Sequence, residues 1–152
     1  MHPGATMETN VQMDPYELIV PGDPKSLSLI RMVVTAIARE AGLSEEQIGR
    51  VEVAVDEACT NVVEHSYQNL KPHPPVEVLV QADGKDFIVD IVDSGPSFDF
   101  NNSVRNKFPD HWIQGENVRG AGLYLMMSLM DSVDYERLPD ERNRMRMIKK
   151  IS

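Results

Sequence analysis

Cysteine is nearly missing from this sequence: Cys59 is the single one in 152 residues. One thiol makes neither an internal disulfide nor a cysteine-rich zinc site, which fits a reducing compartment. Basic charge is also short, with 15 Lys and Arg against 24 Asp and Glu and a formal net charge of −9. A surface built for nucleic-acid phosphates or for an anionic membrane carries the opposite sign. No direct nucleic-acid or membrane partner is therefore expected; a basic protein partner is easier to accommodate. No apolar run reaches the roughly 18 residues of a membrane span. Met1 to Met13 lacks the apolar stretch of a signal peptide. The expected location is the cytoplasm.

What is present reads as one globular domain. Hydrophobic residues make up 41% and charged residues 26%, an ordinary balance for a packed core. Residues 1–14 have no periodicity and read as a tail, leaving 15–152 as a single domain. Tyr16 to Val20 is a short strand that stops at Pro21. Asp23-Pro24 reads as a helix start, with Asp23 accepting from a free amide and Pro24 at the first helical position. Leu27, Ile30, Val33, Val34, Ile37 and Ala41 follow at helical spacing, and Gly42 ends the helix. Ser44 and Gln47 form a capping-box pattern that opens a second helix, to about His65. On its wheel Ile48, Val51, Ala54, Val55, Ala58, Cys59 and Val62 share one arc, the core face. Glu57 and Asn61 lie at one edge of that arc, with His65 a turn later on the same line.

A loop from Lys71 to Pro75 leads to a strand at Val76 to Ala82. Asp83-Gly84 signals a hairpin, Phe87 to Val92 returns, and Asp93 sits at the strand end. Residues 94–119 are rich in Gly, Pro, Asn and charge, and a loop this long is functional or mobile. Gly120-Ala121-Gly122 then opens an apolar helix through Met130. Leu123, Tyr124, Leu125, Met126, Met127, Leu129 and Met130 cover every side of it, so it should be largely buried. Val133 to Arg137 and Arg144 to Ile151 form a final hairpin. The order predicts an α+β fold: a two-layer sandwich with helices on one face of a mainly antiparallel sheet. The sheet's other face leaves room for a homodimer to cover it.

Three signals carry chemistry. Glu57-x-x-x-Asn61 puts a carboxylate and an amide on one helical line. Asp93-Ser94-Gly95 places a carboxylate at a strand end with a glycine that lets backbone come close. Gly120-x-Gly122-Leu123 leads into a helix whose free amides can meet phosphate. Each alone is commonplace, but their order is specific. On VEVAVDEACTNVVEHSY, DSGPSFDF and RGAGLYLMMSLMDSVDYE, the chain from Tyr16 to Ile151 resembles the ATP-binding fold shared by DNA gyrase, sensor histidine kinases and MutL. Within that group it is most similar to the anti-sigma-factor serine kinases.

The resemblance implies ATP and Mg²⁺ as cofactors. It implies that Asn61 ligands Mg²⁺ and that Glu57 is the catalytic base. Asp93 would read the adenine amino group, with Gly95 giving the ring room. Gly120, Gly122 and the amide of Leu123 would cradle phosphates, and Arg119 would reach the terminal one. Residues 96–119 would be the ATP lid, with Arg105 and Lys107 as lesser basic groups. The implied partners are a STAS-type anti-sigma-factor antagonist, as the substrate, and a sigma factor. One departure stands out: Pro96-Ser97 occupies the place of a second glycine. The alternatives are a non-catalytic ATP-gated binding module and a histidine-kinase catalytic domain, though residues 1–20 are too short for a dimerising helix pair. Cys59 is expected to be an inert buried thiol.

Overall fold

The computed structural model describes residues 14–97 and 118–152. The chain forms β1 (Tyr16–Val20), a 3-10 turn (Pro24–Ser26), α1 (Leu27–Ala41) and α2 (Glu45–Asn61). α2 continues as a π-helical turn, Val62–Ser66. β2 (Val76–Ala82), β3 (Asp86–Asp93), α3 (Val118–Leu129), β4 (Ser132–Arg137) and β5 (Asn143–Lys150) follow. The strands make one sheet in the order β1-β2-β3-β5-β4, every neighbouring pair antiparallel. The α+β sandwich expected from the element order is the fold observed.

Local chemistry explains most boundaries. Gly42 adopts φ 100°, the left-handed conformation that a helix C-terminus favours in glycine. The Ser44 hydroxyl accepts from the Gln47 amide at 3.1 Å, and the Gln47 side chain accepts from the Ser44 amide at 3.0 Å, completing the capping box. Gln47 also donates to the Lys150 carbonyl at 2.7 Å, which ties the start of α2 to the end of β5. In the β2–β3 hairpin, Asp83 accepts from the amides of Lys85 and Asp86 while Gly84 takes φ 91°. The expected cap at Asp23 is not made. Its carboxylate lies 3.2 Å from Nδ1 of His73, whose hydrogen bond is with the Gly22 carbonyl at 2.7 Å.

The core lies between the helices and one sheet face. Val51, Ala54, Val55, Ala58 and Cys59 of α2 bury against Val78, Val80, Val89, Ile91 and Met147. α2 is the middle helix, packed on α1 at one side and α3 at the other. That position leaves α3 at the margin of the layer, so the expectation of a largely buried helix is corrected. Leu123 and Met126 are fully buried, but Tyr124, Leu125 and Met127 are exposed.

Register places charge on the far face of the sheet. Val92, Arg144 and Glu136 align in one row and Asp90, Arg146 and Asp134 in the next. Arg146 grips Asp90 with two bonds of 2.8 Å, and Arg144 pairs with Glu136. The Asp90 side chain is only 6% exposed, so that guanidinium takes the place of water as its hydrogen-bonding partner. Arg146→Met should lower unfolding free energy in urea by about 2 kcal/mol. Adding Asp90→Val, which removes the stranded carboxylate, should recover most of the loss. A single variant as stable as the wild type would show that the pair contributes nothing.

Candidate functional site

The sequence-predicted residues Asn61 and Asp93 meet at one cavity between α2 and the sheet. Its lining also includes Ala58, Val62, Ser66, Ile91, Tyr135 and Met145. α2 supplies one wall because its core arc turns to its polar rim at this point. The π-helical turn then widens the helix, with Tyr67 N–H reaching back to the Val62 carbonyl at 2.9 Å. Such local widenings recur at functional sites. It also ends the α-helical line on which His65 was expected to follow Asn61, and His65 is exposed.

Asp93 ends β3 and is buried, at 7% exposure. Its Oδ1 accepts from the Gly95 amide at 2.8 Å and from Nδ2 of Asn143 at 3.0 Å. A buried carboxylate requires such partners. Gly95 sits so close to the π-helical turn that an added Cβ would lie 2.9 Å from Cβ of Ser66 and 3.2 Å from its carbonyl oxygen. No larger residue fits without movement.

Asn61 is 7% exposed, and its side chain makes no hydrogen bond among the described residues. A buried amide facing a cavity without a protein partner is available to a ligand. One turn earlier, the half-buried Glu57 carboxyl lies against α3, where an added Cβ on Gly122 would fall 2.3 Å from Oε2. Partial burial, chiefly, holds the proton affinity of Glu57 above the ordinary glutamate range. Asp56 adds to the effect, His65 opposes it, and Glu64 contributes least. A carboxyl whose proton affinity is raised by its surroundings is a better proton acceptor than an ordinary glutamate.

Comparison with known proteins agrees with this geometry. Residues 20–149 match the family model of the histidine kinase-like ATPase domain. The serine-protein kinase RsbW of Bacillus pumilus is 34% identical over 133 residues, covering 84% of this chain and 81% of the relative. RsbW of Bacillus subtilis is 33% identical over 123 residues, covering 79% and 76%. This chain belongs to the RsbW serine-protein kinases of the histidine kinase-like ATPase family. Solved structures support the fold. The RsbU and RsbW domains of a Mycobacterium tuberculosis protein superpose with TM-score 0.64 at 14% identity, over 91% of this chain and 33% of that one. The SiaB–SiaC complex of Pseudomonas aeruginosa gives 0.57 at 15% identity, over 99% of each chain.

Family membership makes the departures informative. The glycine turn expected to precede α3 is inside it, because the helix begins at Val118. Helical amides lacking an intrahelical partner belong to the first turn. The amide of Leu123 lies beyond that turn, and its side chain is in the core. Most of the segment expected to be a lid, with Arg105 and Lys107, falls outside the described residues, as does the side chain of Arg119. Three residues at the site were missed in the sequence: Asn143, Tyr135 and Arg137. Asn143 lies between the two strands read from the sequence, Val133 to Arg137 and Arg144 to Ile151. Its signal was its place on the last strand, opposite Asp93.

The raised proton affinity of Glu57 has a stability consequence. The folded state holds this proton more tightly than the unfolded chain does. Ionised Glu57 therefore costs stability above the ordinary glutamate pKa and nothing below it. Glu57→Gln should raise the thermal unfolding midpoint at pH 8, and the gain should shrink toward pH 4. A midpoint at pH 8 equal to or below that of the wild type would contradict the assignment.

Proposed function

We propose that this chain is an ATP-dependent protein serine kinase and anti-sigma factor, which phosphorylates a STAS-type antagonist protein and sequesters a sigma factor. The observation that carries the reading is the pairing, on one helix, of Asn61, whose amide has no side-chain partner among the described residues, with the partly desolvated carboxyl of Glu57. Asp93 lines the same cavity as Asn61.

In this reading Asp93 accepts from the adenine amino group, and Gly95 lets the ring approach. The donor set fits magnesium, which takes few protein oxygens and completes its shell with water and phosphate. Among the described residues no cluster of three or more His, Cys, Asp or Glu side chains forms a dedicated cage. The Asn61 amide oxygen would hold the ion, which when bound neutralises charge on the phosphates. Glu57 takes the proton of the attacking serine hydroxyl as its oxygen bonds to the terminal phosphorus and ADP departs. The first turn of α3, with Gly120 and Arg119, serves the phosphates, and residues 96–119 form the lid. Gly122 leaves room for the Glu57 carboxyl. The partners follow from the resemblance, and the net charge of −9 suits basic surfaces on them. A homodimer would cover the charged sheet face, where Ile19 is 59% exposed.

Radiolabel transfer from ATP to a STAS protein encoded nearby tests the reading, with nucleotide binding measured beside it. Glu57→Gln should keep ATP affinity and lose transfer by roughly 10²–10⁴-fold. Asn61→Ala should lose both. Transfer by Glu57→Gln at the wild-type rate would remove Glu57 from the mechanism. Tight ATP binding by the wild type without label on any STAS partner would favour an ATP-gated binding module. Pro96-Ser97, in place of a glycine, gives that second reading its basis.

A further inference from the structure

We infer that Asn143 is a positioning residue for base selection, fixing the Asp93 carboxylate to which the purine 6-amino group donates. The inference rests on the adenine reading of Asp93.

Asn143 is 1% exposed at the start of β5, directly opposite Asp93 on the inner sheet face. All four hydrogen-bonding positions of its amide are used. Nδ2 donates to Oδ1 of Asp93 at 3.0 Å and to the Gly95 carbonyl at 2.9 Å. Oδ1 accepts from the Tyr135 hydroxyl at 2.8 Å and from Nη1 of Arg137 at 2.9 Å. The reverse amide orientation would set its oxygen against a carboxylate and a carbonyl, and its NH₂ against a guanidinium. Only one orientation is therefore tolerated.

The network does more than fill space. Arg137 polarises the amide from one side, which strengthens the donors that face Asp93 on the other. Nη1 of Arg137 also donates to the Gly95 carbonyl at 3.2 Å. Asn143 thus ties the carboxylate to the turn that follows it. Together with the Gly95 amide it sets the carboxylate plane before ligand arrives, and an acceptor fixed in advance discriminates better than one that must be ordered on binding. Tyr135 lines the cavity itself, so the same network reaches the wall that a base would touch.

Inosine triphosphate, which lacks the 6-amino group, separates selection from general binding. Equilibrium binding of ATP and of inosine triphosphate to the full chain should show a preference for ATP that Asp93→Asn abolishes. Asn143→Leu should weaken ATP about tenfold while changing inosine triphosphate less than about twofold, since only the amino contact is disturbed. Asn143→Thr, which restores one donor toward Asp93, should recover most of the preference. Equal weakening of both nucleotides by Asn143→Leu, or an unchanged ratio, would overturn the inference and leave the adenine reading standing. An Asp93→Asn variant that keeps the wild-type ratio would instead overturn the adenine reading, and this inference with it. If Asn143→Leu shows no cooperative unfolding, Tyr135→Phe reads the same network. It should narrow the ratio about two- to threefold, and an unchanged ratio there counts against the role.

Discussion

The hydroxyl of Tyr67 is the joint on which the site end of this molecule hangs. Tyr67 is fully buried just beyond the π-helical turn, where its hydroxyl donates to the Pro75 carbonyl at 2.8 Å and accepts from the Ser94 amide at 2.9 Å. One atom thereby links the end of α2, the approach to β2 and the turn after Asp93. Its ring packs so closely on Gly22 that an added Cβ there would fall 2.7 Å from it and 2.2 Å from the Pro74 carbonyl oxygen. Burial, chiefly, pushes the phenol up to about 12, so it remains a neutral donor throughout the physiological range. Without this joint the strand end and the helix end would be positioned separately, and the distances between Asp93, Gly95 and Ser66 would not be set.

α2 carries two demands that pull against each other. Its core arc must be apolar enough to bind the sheet, and its rim must present polar groups to a cavity. The helix meets both by letting the change fall between Ala58, at 3% exposure, and Asn61, at 7%. The cost appears at Glu57, whose carboxyl is partly desolvated beside like charge. A site held in this state opposes stability, and a well-packed scaffold carries it. The capping box at Ser44 and the bond from Gln47 to β5 supply part of that scaffold at the far end of the same helix.

Elements with clean periodicity were legible in the sequence. β1, stopped by Pro21, and β2 have the bounds read from the sequence, and α1 ends where Gly42 requires. Three features were not legible, for distinct reasons. The π-helical turn depends on Tyr67 being held by Pro75 and Ser94, contacts that no helical wheel contains. Gly120 and Gly122 lie within α3 and do not open it, because two glycines are tolerated inside a helix that packs on α2. Asn143 was hidden because an asparagine beside a turn is ordinary; only the pairing of β3 with β5 puts it against Asp93. Asn61 and Asp93, which the structure brings to one cavity, were singled out from sequence, while the groups that hold Asp93 in place were not.

The surroundings of Asp93 and those of Asn61 and Glu57 are built on opposite principles. Around Asp93 the described donors and acceptors are paired within the protein: Gly95, Asn143, Tyr135 and Arg137 interlock before any ligand arrives. Around Asn61 and Glu57 the reverse holds, with an amide that has no partner among the described residues and a carboxyl short of solvation. Recognition gains from rigidity, because a fixed acceptor needs no ordering on binding. Proton transfer gains from groups left unsatisfied, because their interactions then form with the reacting atoms and not with the protein. The divide runs across the short distance from the end of β3 to the last α-helical turn of α2. In the proposed reading, selection can be altered from β5 and chemistry from α2, with Ser66 and Tyr67 at the end of that helix also bracing the turn after Asp93.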